Sequence, residues 1–212
     1  MLRKLLRRFV PSGLRGWPPE DADIVALDVE TTGLDPATAD ILSIGAVPIH
    51  ERRVVLSDRF EAVVRRDAPT HEGSVRIHRL RALDLERGLP PAQAMERFRD
   101  WLGDRPILGY CVDFDRAALD RALKLGKLRP LDVEAYDLRR LFLLSQKRDR
   151  HHGAEQHEHA MPDLDGILEA VGIPALARHT AMGDAAATAL AYIALRYGRA
   201  SRGEERPAGG AR

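Results

Sequence analysis

Ile24 to Val29 (IVALDV) is an apolar run of strand length that carries two carboxylates at its end, Asp28 and Glu30, and then meets a Thr31-Thr32-Gly33 turn. In an extended strand residues i and i+2 share a face, so both acids project to the same side. Two acids together at the end of an apolar strand repel each other and are costly to desolvate unless a cation neutralises them. Oxygen ligands of this kind suit a hard divalent ion, Mg²⁺ or Mn²⁺. An Asp-x-Glu pair is also common at a solvated strand edge, so its meaning depends on the rest of the chain.

A second apolar run, Ile41 to Ile49, and a third, amphipathic one, Val54 to Val64, come next at short intervals. Together the three predict consecutive antiparallel strands. Helical spacing appears at Pro91 to Leu102 through Ala94, Met95, Phe98 and Leu102. A short strand at Pro106 to Tyr110 and a helix from about Asp113 to Leu123 come after it, then helices at Leu138 to Leu144, Leu164 to Val171 and Asp184 to Tyr197. The alternation predicts an α/β layered architecture.

With 212 residues, 44% of them hydrophobic and 31% charged, the chain has room for one sizeable core. No apolar run approaches the roughly 18 to 20 residues that cross a bilayer, so stable membrane insertion is not expected. Cys111 is the single cysteine and cannot form an internal disulfide or a paired-cysteine zinc site. That points to a reducing, cytoplasmic setting.

The net charge is +1, so binding to an anionic polymer has to come from local arrangement. Residues 1–17 hold Arg3, Lys4, Arg7, Arg8 and Arg15 without an acid, which leaves 18–212 at −4. Leu2, Leu5, Leu6 and Phe9 alternate with those cations at helical spacing, so residues 1–21 are expected to form a basic amphipathic extension. It suits a membrane surface, a partner or nucleic acid, or is a frayed basic arm or a helix packed on its own domain. The folded domain is expected over 22–198, and the Gly-rich, charged stretch 199–212 is expected to be a disordered tail. Gln146 to Met161 is polar and aperiodic with four histidines, His151, His152, His157 and His159. It reads as a surface loop placed to act as a lid, in preference to a metal site, because no cysteine or helical frame gathers the histidines.

Two further acids stand where strands give way to helices. Asp115 follows Phe114 just after the predicted strand Pro106 to Tyr110, and Asp184 opens the last helix in His179-Thr180-Ala181-Met182-Gly183-Asp184. Ligand sites in α/β sheets gather at such positions, while each acid alone has an ordinary use as a helix cap.

In order, Asp28-x-Glu30-Thr-Thr-Gly, Phe114-Asp115, and His179 five residues before Asp184 resemble the three motifs of the DEDD exonuclease superfamily in its histidine subtype. Proofreading epsilon subunits of bacterial DNA polymerase III and ribonuclease T belong to that superfamily. The tyrosine subtype carries Tyr four residues before the last Asp, where this chain has Thr180. The likeness spans about residues 22–197, with Ile77-His78 and Gly109 also matching. It implies an RNase H-like fold, a five-stranded mixed sheet flanked by helices. It further implies 3′-5′ hydrolysis of nucleic acid, single-stranded DNA foremost, to nucleoside 5′-monophosphates. Asp28, Glu30, Asp115 and Asp184 would hold two divalent cations, Mg²⁺ or Mn²⁺, and His179 would be the general base. Thr31 and Thr32 would meet the terminal nucleotide, with Leu34 wedged against its base. The implied partners are single-stranded 3′ ends, with a polymerase complex or a homodimer as the assembly.

The second motif departs from the family's usual His-Asn-Ala-x-Phe-Asp, since Tyr110-Cys111-Val112-Asp113 precede Phe114-Asp115. Asp113 thereby becomes a competing ligand or a cap, and Asp115 is preferred because it follows Phe114 in register. An exoribonuclease, and a catalytically silent nucleic-acid-binding or adaptor module, are the rival readings.

Overall fold

The strand that carries the first two acids lies at the middle of the molecule. In the computed structural model, which describes residues 16–66, 80–150, 161–175 and 177–198, Ile24–Thr31 (β1) pairs antiparallel with Ile41–His50 (β2) on one edge and parallel with Ile107–Gly109 (β5) on the other. Ala135–Asp137 (β6) adds in parallel outside β5. Beyond β2 lie Arg53–Val54 (β3) and Phe60–Val63 (β4), both antiparallel to it. The sheet is therefore mixed. Because β1 covers one edge of β2 from Ile41 to Ile49, β3 and β4 share the other edge, and six strands fill five lanes.

The third apolar run, expected as one strand from Val54 to Val64, is broken by a 3₁₀ turn at Leu56–Asp58. Pro48 supplies the reason. Its carbonyl accepts from the Val55 N–H, so the β2 backbone at Pro48 faces the outer lane, and proline has no N–H to offer a continuous neighbour there.

Helices cover both faces, which is why β1 and β2 are buried almost throughout instead of alternating with polar residues. Against Val25, Leu27 and Val29 pack Pro91–Leu102 (α2, after the short α1 at Ala82–Glu86) and Val112–Leu125 (α3), through Ala94, Met95, Phe98, Leu119 and Leu123. Against Ile24, Ala26, Val47 and Ile49 pack Leu138–Arg150 (α4), Leu164–Val171 (α5) and Ala181–Tyr197 (α6). Asp28 and Glu30 continue this second face.

Two helices differ from their expected limits. The helix read as Leu138 to Leu144 runs on to Arg150, so Gln146 to Arg150 are helical and not the start of a loop. The sequence there has no apolar period, but a helix backbone needs none to continue its hydrogen bonds. The last helix begins at Ala181 rather than Asp184, because Thr180 Oγ1 accepts from the Gly183 N–H and caps it. Strand β6 and helix α1, three and five residues long, are too short for a period to reveal them. The basic segment 1–15, the Ile77-His78 pair, His151 to His159 and the tail from Arg199 lie outside the described residues. Among the described residues no helix is long and apolar enough to cross a membrane.

Candidate active site

Asp28 and Glu30 sit where β1 outlives its neighbour. The parallel pairing with β5 covers Val25 and Ala26 only, and the pairing with β2 shifts register between Glu30 and Thr31. Such a bulge re-aims side chains at a strand end, a common device beside functional sites. Asp28 is opposite Gly45 and Glu30 opposite Ser43, so both acids look toward the start of α6. There the backbone of Ala181 and Met182 lies directly on Gly45.

Asp184 stands in the first turn of α6, where the helix N-terminus favours negative charge. Since Thr180 is the cap, Asp184 is free of that ordinary duty. One carboxylate oxygen each from Asp28, Glu30 and Asp184 lie within 4.8 Å of one another. Asp115 occupies the first turn of α3, at 3% exposure. Its Oδ2 is buried with no hydrogen-bond partner. A buried carboxylate oxygen left without a partner is expensive. Three converging carboxylates beside such an oxygen are a donor set that fits hard divalent cations.

Burial first, then the charges of Asp115, Asp184 and Glu30, push the Asp28 carboxyl well above the ordinary carboxylate range, while Arg178 pulls it down. Asp115 is raised chiefly by its burial, with Asp137 and Glu30 adding to the rise and the Val29 N–H opposing it. Glu30 is pushed up to about 7 from 4.5 by burial and by Asp184, against Arg178. The folded protein thus holds protons on Glu30 that the unfolded chain has released. Glu30 therefore favours folding fully below about pH 4.5, and that contribution is lost as pH rises through about 7. In melting curves of metal-free protein, stability should fall over this window, and Glu30→Gln should flatten the fall. An unchanged pH slope in Glu30→Gln would refute the assignment.

His179 has an exposed side chain and a positive φ of 63°, and its backbone N–H donates to Asp184 Oδ1 at 3.2 Å. Thr31 Oγ1 donates to the Gly33 carbonyl at 2.7 Å, and Thr32 Oγ1 accepts from the Asp40 N–H at 3.0 Å. Leu34 is 95% exposed just past them. Gly33 does not have a positive φ, and a Cβ there would meet open space. The left-handed residue of this neighbourhood is instead Cys111, at φ 60°, in the cap position of α3. Asp113 is accordingly inside the helix and not its cap.

Two residues of the site escape a reading of the sequence. Asp137, 5% exposed at the end of β6, accepts from the N–H groups of Arg139 and Arg140 and lies close enough to raise the Asp115 carboxyl. An acid between a strand and an amphipathic helix is its only signal. Arg178 forms ion pairs with both Asp165 and Asp184.

A family model described as Exonuclease (RNase_T) matches residues 25–192, and the chain belongs to that exonuclease family, whose members hydrolyse phosphodiesters. It is 32% identical over 195 residues to a DNA polymerase III subunit epsilon-like protein of Rhodobacter capsulatus, covering 90% of this chain and 26% of that one. It is 28% identical to a PolC-type DNA polymerase III of Thermotoga petrophila, covering 82% of this chain and 12% of that one. The chain thus spans about a quarter or less of the length of these relatives. In structure it is similar to E. coli Exonuclease I, crystallised with a dT13 oligonucleotide. There the TM-score is 0.68 and the identity 20%, over 85% of this chain and 42% of the other. The mixed sheet and its helices are those of an RNase H-like fold.

Proposed function

We propose that this protein is a metal-dependent 3′-5′ exonuclease of the histidine subtype that degrades single-stranded DNA to nucleoside 5′-monophosphates. The observation that carries this reading is the convergence of Asp28, Glu30 and Asp184 within 4.8 Å beside the unpartnered buried oxygen of Asp115. Asp28, Glu30, Asp115 and Asp184 would hold two Mg²⁺ or Mn²⁺ ions. Bound divalent ions would acidify the attacking water and stabilise charge on the phosphate and the leaving 3′ oxygen.

The chain's own groups supply the rest. His179, exposed at the rim and tied through its backbone to Asp184, accepts the proton of the attacking water at a ring nitrogen, acting as the general base. Thr31 ends β1 beside Glu30, Thr32 follows it, and the two present the turn against which the terminal nucleotide lies. Leu34, exposed and apolar, stacks against its base. DNA is preferred because the relatives' names are those of DNA polymerase III proteins and the structural neighbour was crystallised with a DNA oligonucleotide. The same relatives make a polymerase assembly the natural context.

The test is digestion of single-stranded DNA and RNA of one sequence at one salt concentration, since affinity for nucleic acid shifts steeply with salt. DNA should be shortened faster. Faster RNA shortening would favour the exoribonuclease, and binding without cleavage the silent module. In the same assay at saturating metal, Asp113→Asn should keep most activity while Asp115→Asn loses it. Equal loss would overturn the choice of Asp115 over Asp113.

A further inference from the structure

The acids of the site repel one another, and a cation from the chain itself reaches into them. Arg178 is 13% exposed at its side chain. Its Nε pairs with Asp165 Oδ1 at the start of α5, and its Nη1 pairs with Asp184 Oδ1 at the start of α6. The charge is felt beyond these partners, for it draws both the Asp28 and the Glu30 carboxyls downward.

The backbone on either side of Arg178 is held in the left-handed region, with Ala177 at φ 52° and His179 at φ 63°. Side-chain-bearing residues adopt it at a cost, so surrounding contacts must hold it in place. A planar guanidinium with several donors suits a bridge between two carboxylates. Asp184 Oδ1 is therefore already engaged twice, by the guanidinium and by the His179 N–H. An ion bound among Asp28, Glu30 and Asp184 has to compete for a carboxylate that is in use.

We propose that Arg178 is the resident counter-cation of the carboxylate cluster, neutralising Asp184 in the metal-free protein and giving way to a divalent ion while Asp165 keeps hold of the guanidinium. The inference rests on the metal-site reading above. It accounts for how a chain with these acids packed together folds before any ion binds. It also makes metal affinity a balance between an ion and an arginine, not a property of the acids alone.

Calorimetric titration with Mn²⁺ and melting of the metal-free protein test it on the full chain and on Arg178→Gln and Arg178→Lys. Arg178→Gln should bind Mn²⁺ at least about tenfold more tightly and melt at a lower temperature without metal, while Arg178→Lys should stay near wild type in both. Mn²⁺ affinity in Arg178→Gln equal to or weaker than wild type would overturn the proposal and leave the metal reading standing. Binding in neither protein would overturn both. Should Arg178→Gln not fold, the Arg178 Nε–H resonance of ¹⁵N-labelled wild type, identified by its loss in Arg178→Lys, decides. It should shift as Mg²⁺ saturates the protein, and a resonance that stays put would refute the displacement.

Discussion

Asp28→Asn should make the metal-free protein more stable while abolishing its hydrolytic activity. Asp28 lies between the other acids, and its carboxyl is pushed far up by burial and by Asp115, Asp184 and Glu30 in turn. An amide of nearly the same shape removes that repulsion and the cost of a desolvated charge. Relief of a buried, uncompensated group is worth about 1–3 kcal/mol. For a domain of this size each kcal/mol moves the melting temperature by roughly 2–4 °C. The gain should grow with pH, because a carboxyl raised in the folded state costs most once it ionises. Added Mn²⁺ should raise the melting temperature of wild type and leave the variant unmoved, and exonuclease activity should fall by on the order of 10³ or more. Thermal shift with and without Mn²⁺ at about pH 8 reads all but the last. A metal-free variant less stable than wild type would mean that Asp28 serves folding instead of binding.

Gly45→Ala should damage fold and site together, although Gly45 has no side chain and coordinates nothing. A Cβ at this position would lie 2.2 Å from the Met182 N and 2.3 Å from the Ala181 carbonyl carbon. These are backbone atoms of a helix end, so no flexible side chain can yield. Overpacking that moves backbone costs about 1–3 kcal/mol and sometimes more. Here the upper end is expected, as a clear drop in melting temperature. The same outward shift of α6 carries Asp184 away from Asp28, which is paired with Gly45 across the sheet. A displacement of about 1 Å in a catalytic group can cost on the order of 100-fold in rate. Activity should therefore fall further than the loss of folded protein explains, which single-turnover digestion at low temperature measures. Wild-type activity in a destabilised Gly45→Ala would mean that the seat of α6 on Gly45 serves packing and does not set the position of Asp184.

The acids are legible in the sequence because each stands at a place that local chemistry marks. Asp28 and Glu30 interrupt an apolar strand, and Asp115 and Asp184 stand where helices begin. The features that stay hidden depend on partners far away in the chain. Nothing in the residues around Gly45 announces that α6 will seat on it, and Arg178 acquires its role only when α5 and α6 bring Asp165 and Asp184 to either side. Asp137 is hidden because β6 is too short to show a strand period. The third strand fails for a reason within reach, as Pro48 removes a donor from the lane that strand was expected to fill.

We propose that these four acids and His179 form a metal-dependent centre acting on 3′ ends. A 3′-end-labelled single-stranded DNA oligonucleotide incubated with Mg²⁺, Mn²⁺ or EDTA and wild type, Asp28→Ala or His179→Ala decides this. Wild type should release labelled nucleoside 5′-monophosphate with either ion and none with EDTA, and neither variant should release any above background. Release that persists in EDTA or in Asp28→Ala, or no release with either ion from a protein that still binds the strand, would contradict it.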